Sequence, residues 1–232
     1  MFNSQNSTQL RGYLTGLILG DGHIDNGVSK RAFRIKSIYE DFIDKILNDL
    51  SFTNFKLHKN SFTGYTDKYG TNHKDYFELY IEANPYFRKL YSNFYDDYKN
   101  RIISDFALNS LTLQGIANWY MSDGYITHVG KESGIIKDRR IDICTDRYSK
   151  DDCIKFSEYL TSIGYGASIV KRDKFYRVRI KQRCAQRLFL DIKDFIVPSM
   201  YYKLNLMYDY KPDWMSEEYF DFQNSLISAE TH

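Results

Sequence analysis

The sequence predicts an α+β protein built from two related halves, and three observations carry that expectation. Apolar residues recur at helical spacing in some segments and alternate at strand spacing in others. The order of those segments (helix, strand, helix, strand, strand, helix) runs through the chain twice. Residues 13–24 (YLTGLILGDGHI) also lie over residues 115–126 (GIANWYMSDGYI) at a constant offset of 102.

The first helix is expected at about 9–21 and a strand at 30–37. A second helix at 39–51 places Ile43, Ile46, Leu47 and Leu50 on one face. Strands follow at 55–60 and 75–82, where Phe77, Leu79 and Ile81 alternate with Tyr76, Glu78 and Tyr80. The polar stretch between them, 61–73, reads as a long loop, and Pro85 suits the first turn of a third helix. The second half is expected as helix 111–123, strand 139–145, helix 149–163, strands 167–172 and 175–181, and helix 183–195. One further short strand is expected in each half, near 24–28 and 125–129.

In the repeat, Asp21/Asp123, Gly22/Gly124 and Ile24/Ile126 are identical, and the preceding positions keep bulky or small character in step. The later helices match at an offset of 110, which places an insertion within 129–138. Gly22 and Gly124 read as ordinary helix stops. Gly16 and Gly20 share one helix face and permit another helix to come close.

Composition narrows the function classes. The chain has 232 residues, enough for two small domains with a sizeable core. Its 32 basic and 30 acidic residues rule out a histone-like basic tail protein. No apolar run approaches the ~18 residues of a membrane span, and the start lacks a signal-peptide pattern. Cys144, Cys153 and Cys184 form no CxxC pair. The expectation is a soluble, intracellular protein with reduced thiols. Charge is nonetheless segregated: a local +4 over 28–36, +7 over 167–187 and −5 over 212–232. In 175–181 Arg177, Arg179 and Lys181 alternate with Tyr176, Val178 and Ile180, and in 30–36 Lys30, Arg34 and Lys36 oppose Phe33 and Ile35. A sheet apolar beneath and cationic above suits a polyanion, although an ordinary solvated face has the same pattern.

Asp21 and Asp123 are the anomaly in the repeat, because each carboxylate faces the negative end of its helix macrodipole. If the two helices pack side by side, both carboxylates meet at one end. Two such groups ionise together only with a cation between them, and hard oxygen ligands favour Mg²⁺ or a similar divalent ion. No zinc spacing and no Ser–His–Asp or Cys–His arrangement is evident.

LTGLILGDG (14–22) and IANWYMSDG (116–124) resemble the two signature helices of the LAGLIDADG homing endonucleases, and IVPSMYYKL (196–204) resembles the segment that carries a basic active-site residue in single-chain members. The resemblance spans about Leu10 to Leu206. It implies two pseudo-symmetric half-domains, 1–104 and 105–232, each a curved antiparallel sheet backed by helices and forming a DNA-binding saddle. It implies that Asp21 and Asp123, with the carbonyls of Gly20 and Ser122, bind divalent metal, and that Lys203 stands near a scissile phosphate. The first-half counterpart falls within YKNRI (98–102), where simple alignment puts Asn100 at the expected lysine and Lys99 is the candidate.

On the sheets, Arg177 and Arg179 become candidate guanine readers, and Lys30, Lys36, Lys171 and Lys181 candidate phosphate contacts. Tyr76 and Tyr80 would meet bases or sugars, and Glu78 and Asp142 would accept from cytosine N4. Arg34, Lys56, His58 and Arg140 complete the expected DNA surface. The implied activity is a monomeric enzyme making a Mg²⁺-dependent double-strand break in a long asymmetric DNA target. The rival readings are an intron RNA maturase on the same fold and a catalytically silent DNA-binding module. An intein is not expected, since the sequence opens on Met and lacks splicing-type ends.

Overall fold

The structure, a computed structural model, describes residues 7–27, 31–68, 70–72, 74–130 and 138–230. The first half runs α1 (Ser7–Leu19), β1 (His23–Ile24), β2 (Arg31–Ser37), α2 (Glu40–Leu50), β3 (Leu57–Phe62), β4 (Tyr76–Asn84) and α3 (Pro85–Tyr91). A short helix, α4 (Asp105–Ser110), leads into α5 (Leu113–Asp123), β5 (Gly124–Val129), β6 (Asp138–Ile143), α6 (Lys150–Ser162), β7 (Ala167–Arg172), β8 (Phe175–Ile180) and α7 (Gln182–Ile192). Two 3-10 segments, Lys193–Phe195 and Pro198–Leu204, precede the last helix, α8 (Glu217–Glu230). The sequence pattern does not announce α4, which is too short for a helical period, or α8, which lies in the acidic segment.

Each half holds a four-stranded antiparallel sheet of the same order, β1-β2-β4-β3 and β5-β6-β8-β7. Alternation is the reason: Phe33, Ile35, Leu79 and Ile81 point to the helix side of the first sheet, and Ile141, Ile143, Val178 and Ile180 to that of the second, all at most 1% exposed. There they meet the apolar stripes of α2 (Phe42, Ile43, Ile46, Leu50) and α6 (Cys153, Phe156, Leu160) within a core that continues through both halves. The opposite face of each sheet carries the polar residues. Pro85 opens α3 with Asn84 as its cap, accepting from the Tyr86 amide at 2.9 Å. The polar stretch after β3 is pinned by a bridge between Thr66 and Asn72, while residues 131–137 of the expected insertion lie outside the described residues.

The registers make the halves comparable. Phe33 faces Ile81 and Ile141 faces Ile180. One step further along, Arg34 faces Tyr80 in the first sheet where Asp142 faces Arg179 in the second.

The repeated helices α1 and α5 pack directly against each other. A Cβ placed on Gly16 would lie 1.8 Å from the carbonyl oxygen of Gly115, and one on Gly115 would lie 2.3 Å from that of Gly12. Gly20 in turn sits against the Ser122 side chain. Gly22 and Gly124 are glycine for a different reason from the one their position suggests. Neither has a positive φ. Their hydrogen atoms face the rings of Phe33 and Tyr120, which a Cβ would approach to 2.6 and 2.2 Å. They allow close packing at the helix ends, not a left-handed stop.

Because the contact at Gly16 is backbone on backbone, no rotamer change relieves it. Gly16→Ala should lower the unfolding free energy by about 3 kcal/mol, read from the midpoint of chemical denaturation. An unchanged midpoint would show that the helices are not in backbone contact.

Candidate active site

The two helix ends bring Asp21 and Asp123 into electrostatic contact. Asp123 is the more enclosed, and its carboxyl pKa is pushed up to about 7, first by burial and then by the charge of Asp21. Its Oδ2 accepts from the Trp119 indole at 3.2 Å, one turn back on α5. Asp21 is exposed. Together with Met121, Ser122, Met200 and Lys203 from the second half, and Lys36, Ser37, Tyr39 and Tyr76 from the first, Asp21 lines a cleft of about 310 Å³.

Helix ends leave carbonyls without partners, and here cationic side chains supply most of the donors. Lys203, buried, donates Nζ–H to the carbonyl of Met121 at 2.5 Å. Burial lowers its pKa to about 8, with Asp123 and then Asp21 opposing the shift. The Tyr120 hydroxyl donates to the Lys203 carbonyl at 2.8 Å and fixes that backbone. On α1, Arg101 donates to the carbonyls of Ile18 (2.8 Å), Gly20 (2.7 Å) and Gly22 (2.5 Å). Two donors cross over from the second half. Tyr148 gives its hydroxyl proton to Leu19 at 2.5 Å, and Arg147 reaches Gly20 O at 3.2 Å and Asp21 Oδ1 at 3.6 Å.

Lys99 has no part in this arrangement. It is exposed with φ 66° in a turn closed by its amide on the Asp96 carbonyl. Arg101 is the first-half cation at the helix end, and the repeat offset of 102 subtracted from 203 points to it directly. Arg147 carries no comparable sequence signal, because it acts from a loop of the opposite half.

The donor set suits a hard divalent cation: two carboxylates in mutual range and helix-end carbonyls at Gly20 and Ser122. The carbonyl of Gly20 is engaged by two guanidinium groups. Among the described residues no three His, Cys, Asp or Glu side chains converge, so any ion would share its shell with backbone oxygen, water or substrate.

The open sheet faces hold the remaining predicted residues, most of them already paired. Arg34 binds Asp25 at 3.0 Å, Lys36 lies 3.7 Å from Glu78, and His58 and Lys56 lie 3.0 and 3.5 Å from Glu82. Arg140 binds Asp138 at 2.8 Å. Tyr76 stacks on Phe62 beneath Lys36, and Tyr80 lies beneath Arg34. Glu78 and Asp142 are buried, so neither carboxylate is free to accept from a base. Arg177 and Arg179 share the open face, gripped by Asp146 and Asp142. Lys171 lies opposite Tyr176 and shares its helix-side face, so Arg172 holds the open-face position at that end of β7. Lys181 lies just past β8 as the cap of α7, and Lys30 lies outside the described residues.

Fold and site together define a class: a duplicated α+β protein whose paired helices end in an acidic centre between two open antiparallel sheets. The chain matches the model of the LAGLIDADG DNA endonuclease family over residues 11–188 and belongs to that family. It is 31% identical over 107 residues to the probable intron-encoded DNA endonuclease 3 of Mycosarcoma maydis, an alignment covering 46% of this chain and 73% of that protein. Among solved structures, the homing endonuclease I-WcaI bound to its DNA recognition sequence superposes with a TM-score of 0.72 at 19% identity, covering 89% of this chain and 90% of that one. That likeness shows the shared fold.

The raised pKa of Asp123 has a thermodynamic sign. A carboxyl titrating near 7 in the folded state and near 3.9 when unfolded keeps its proton preferentially on folding. Stability therefore falls as pH rises from about 4 to 7, and the full penalty applies above 7. Asp123→Asn, neutral throughout, should be more stable than wild type by about 2 kcal/mol at pH 8 without divalent metal, after allowance for partial solvent screening. The difference should vanish near pH 4. Equal denaturation midpoints at pH 8 would rule out the penalty of holding an ionised carboxylate buried beside Asp21.

Proposed function

We propose that the chain is a site-specific homing endonuclease that acts as a monomer and makes a Mg²⁺-dependent double-strand break in a long asymmetric duplex. The observation that carries the reading is the pair of family carboxylates at adjoining helix ends: Asp21 opens onto a cleft lined from both halves, and its charge helps raise the pKa of the more enclosed Asp123. Asp21, Asp123 and the carbonyls of Gly20 and Ser122 would hold the divalent ion, which when bound supplies an activated water and offsets phosphate charge.

The chain's own groups do the rest. Asp123 enters the site as a carboxyl near half-protonation at neutral pH, so loading a cation displaces its proton. Lys203 holds its proton on Nζ beside both carboxylates, within reach of neutral titration, while Arg101 caps the other helix end through its guanidinium. Positive charge thus accompanies each half of the centre, but as an ammonium in one and a guanidinium in the other. The two sheets, with division near residue 104, would each read one half of the target through the major groove. No helix among the described residues is long and apolar enough to cross a membrane, and duplex DNA is the partner this reading requires.

Cleavage of a randomised plasmid pool in Mg²⁺ tests it. Wild-type protein should linearise a small subset of sequences. Asp21→Asn and Asp123→Asn should each reduce that by at least about a thousandfold while retaining binding. Tight binding by wild type with no linear product would overturn the nuclease reading.

A further inference from the structure

The open face of the second sheet carries a hydrogen-bonded chain of five side chains. Asp146 accepts from Arg177 Nε at 2.7 Å and Nη2 at 2.5 Å. Arg177 Nη1 donates to the Tyr125 hydroxyl at 2.7 Å, and that hydroxyl donates to Asp142 Oδ2 at 3.3 Å. Asp142 in turn grips Arg179 through Nε at 2.6 Å and Nη2 at 2.8 Å. The Asp142 side chain is only 3% exposed and Arg179 28%. The carboxylate is therefore unable to touch a ligand that the arginine meets.

These contacts fix orientation without using up the donors. A guanidinium has five N–H groups in one plane. These bonds engage three of them in Arg177 and two in Arg179, always including the side-on edge of Nε and Nη2. Each arginine keeps at least two N–H groups for a ligand, in a plane set by its carboxylate. The cluster carries two positive and two negative charges, so it adds little long-range attraction for a polyanion. A rigid, electrically balanced donor fork suits recognition of a paired acceptor better than it suits phosphate binding. In a duplex the paired acceptor of the major groove is guanine O6 and N7.

Spacing sharpens this. Arg177 and Arg179 are two residues apart on β8, or about 6.6 Å along an extended strand. Two base-pair steps span about 6.8 Å. The register-equivalent positions of the first sheet are Glu78 and Tyr80, so among the described residues the device exists in one half only.

We propose that Arg177 and Arg179, held by Asp146, Tyr125 and Asp142, are two preset guanine readers, and that one half of the target carries guanine at two positions separated by a single base pair. Asp142 and Asp146 are positioning residues that set the specificity of their arginines. The inference rests on the reading of the chain as a sequence-specific DNA endonuclease.

The test is sequencing of molecules bound or cut by full-length protein from a randomised duplex pool in Mg²⁺. Wild type should enrich the guanine pair in one half-site. Arg177→Ala and Arg179→Ala should each erase preference at one of the two positions, a loss of about ten- to a hundredfold in discrimination, and leave the rest of the motif unchanged. Asp146→Asn should weaken preference only at the Arg177 position, and Asp142→Asn only at the Arg179 position. Should the buried Asp142 variant fail to fold, the partly exposed Asp146 carries the same test. An enriched motif lacking the guanine pair, or one unmoved by Asp146→Asn, overturns the preset readers and leaves the endonuclease intact. Enrichment of no sequence at all overturns both.

Discussion

The whole arrangement depends on two backbones touching at Gly16 and Gly115. A side chain at either position would hold α1 and α5 apart. With none, the helix ends converge, the two cores join into one, and Asp21 and Asp123 are delivered to the same place. The paired-carboxylate site is thus a by-product of how the halves associate.

Convergence carries an electrostatic cost, and its handling explains the cations around the site. Two carboxylates and two negative helix ends share a small volume. Arg101, Arg147 and Lys203 bond to the helix-end carbonyls and supply local positive charge, yet Asp123 still titrates near neutrality. The strain remains in the folded protein, and a cation bound between the carboxylates would relieve it. Giving up stability at such a site is a trade common at enzyme centres.

Much of this was legible in the sequence because duplication supplied an internal comparison. The offset of 102 identifies Asp21 with Asp123 and also pairs Arg101 with Lys203; local alignment of 98–102 hides the second pairing, since an arginine stands where a lysine is sought. Alternation placed Arg177 and Arg179 on one face. It left their partners unidentified, because Asp146 comes from a loop and Tyr125 from another strand. Strand pattern likewise gives no register, so Lys171 fell on the wrong side of β7 and the burial of Glu78 and Asp142 went unseen. Arg147 reaches across the halves from a turn, an arrangement visible only in three dimensions.

The registers of the two sheets have one last consequence. Where the second sheet presents Tyr125, Asp142 and Arg179 in a row, the first presents His23, Arg34 and Tyr80. An identical pair of subunits would meet a ligand and the same ligand turned end for end in the same way. This chain has a head and a tail. An extended ligand lying across both sheets has one correct heading, and with that heading the guanidinium end of the centre and its ammonium end always face the same respective sides.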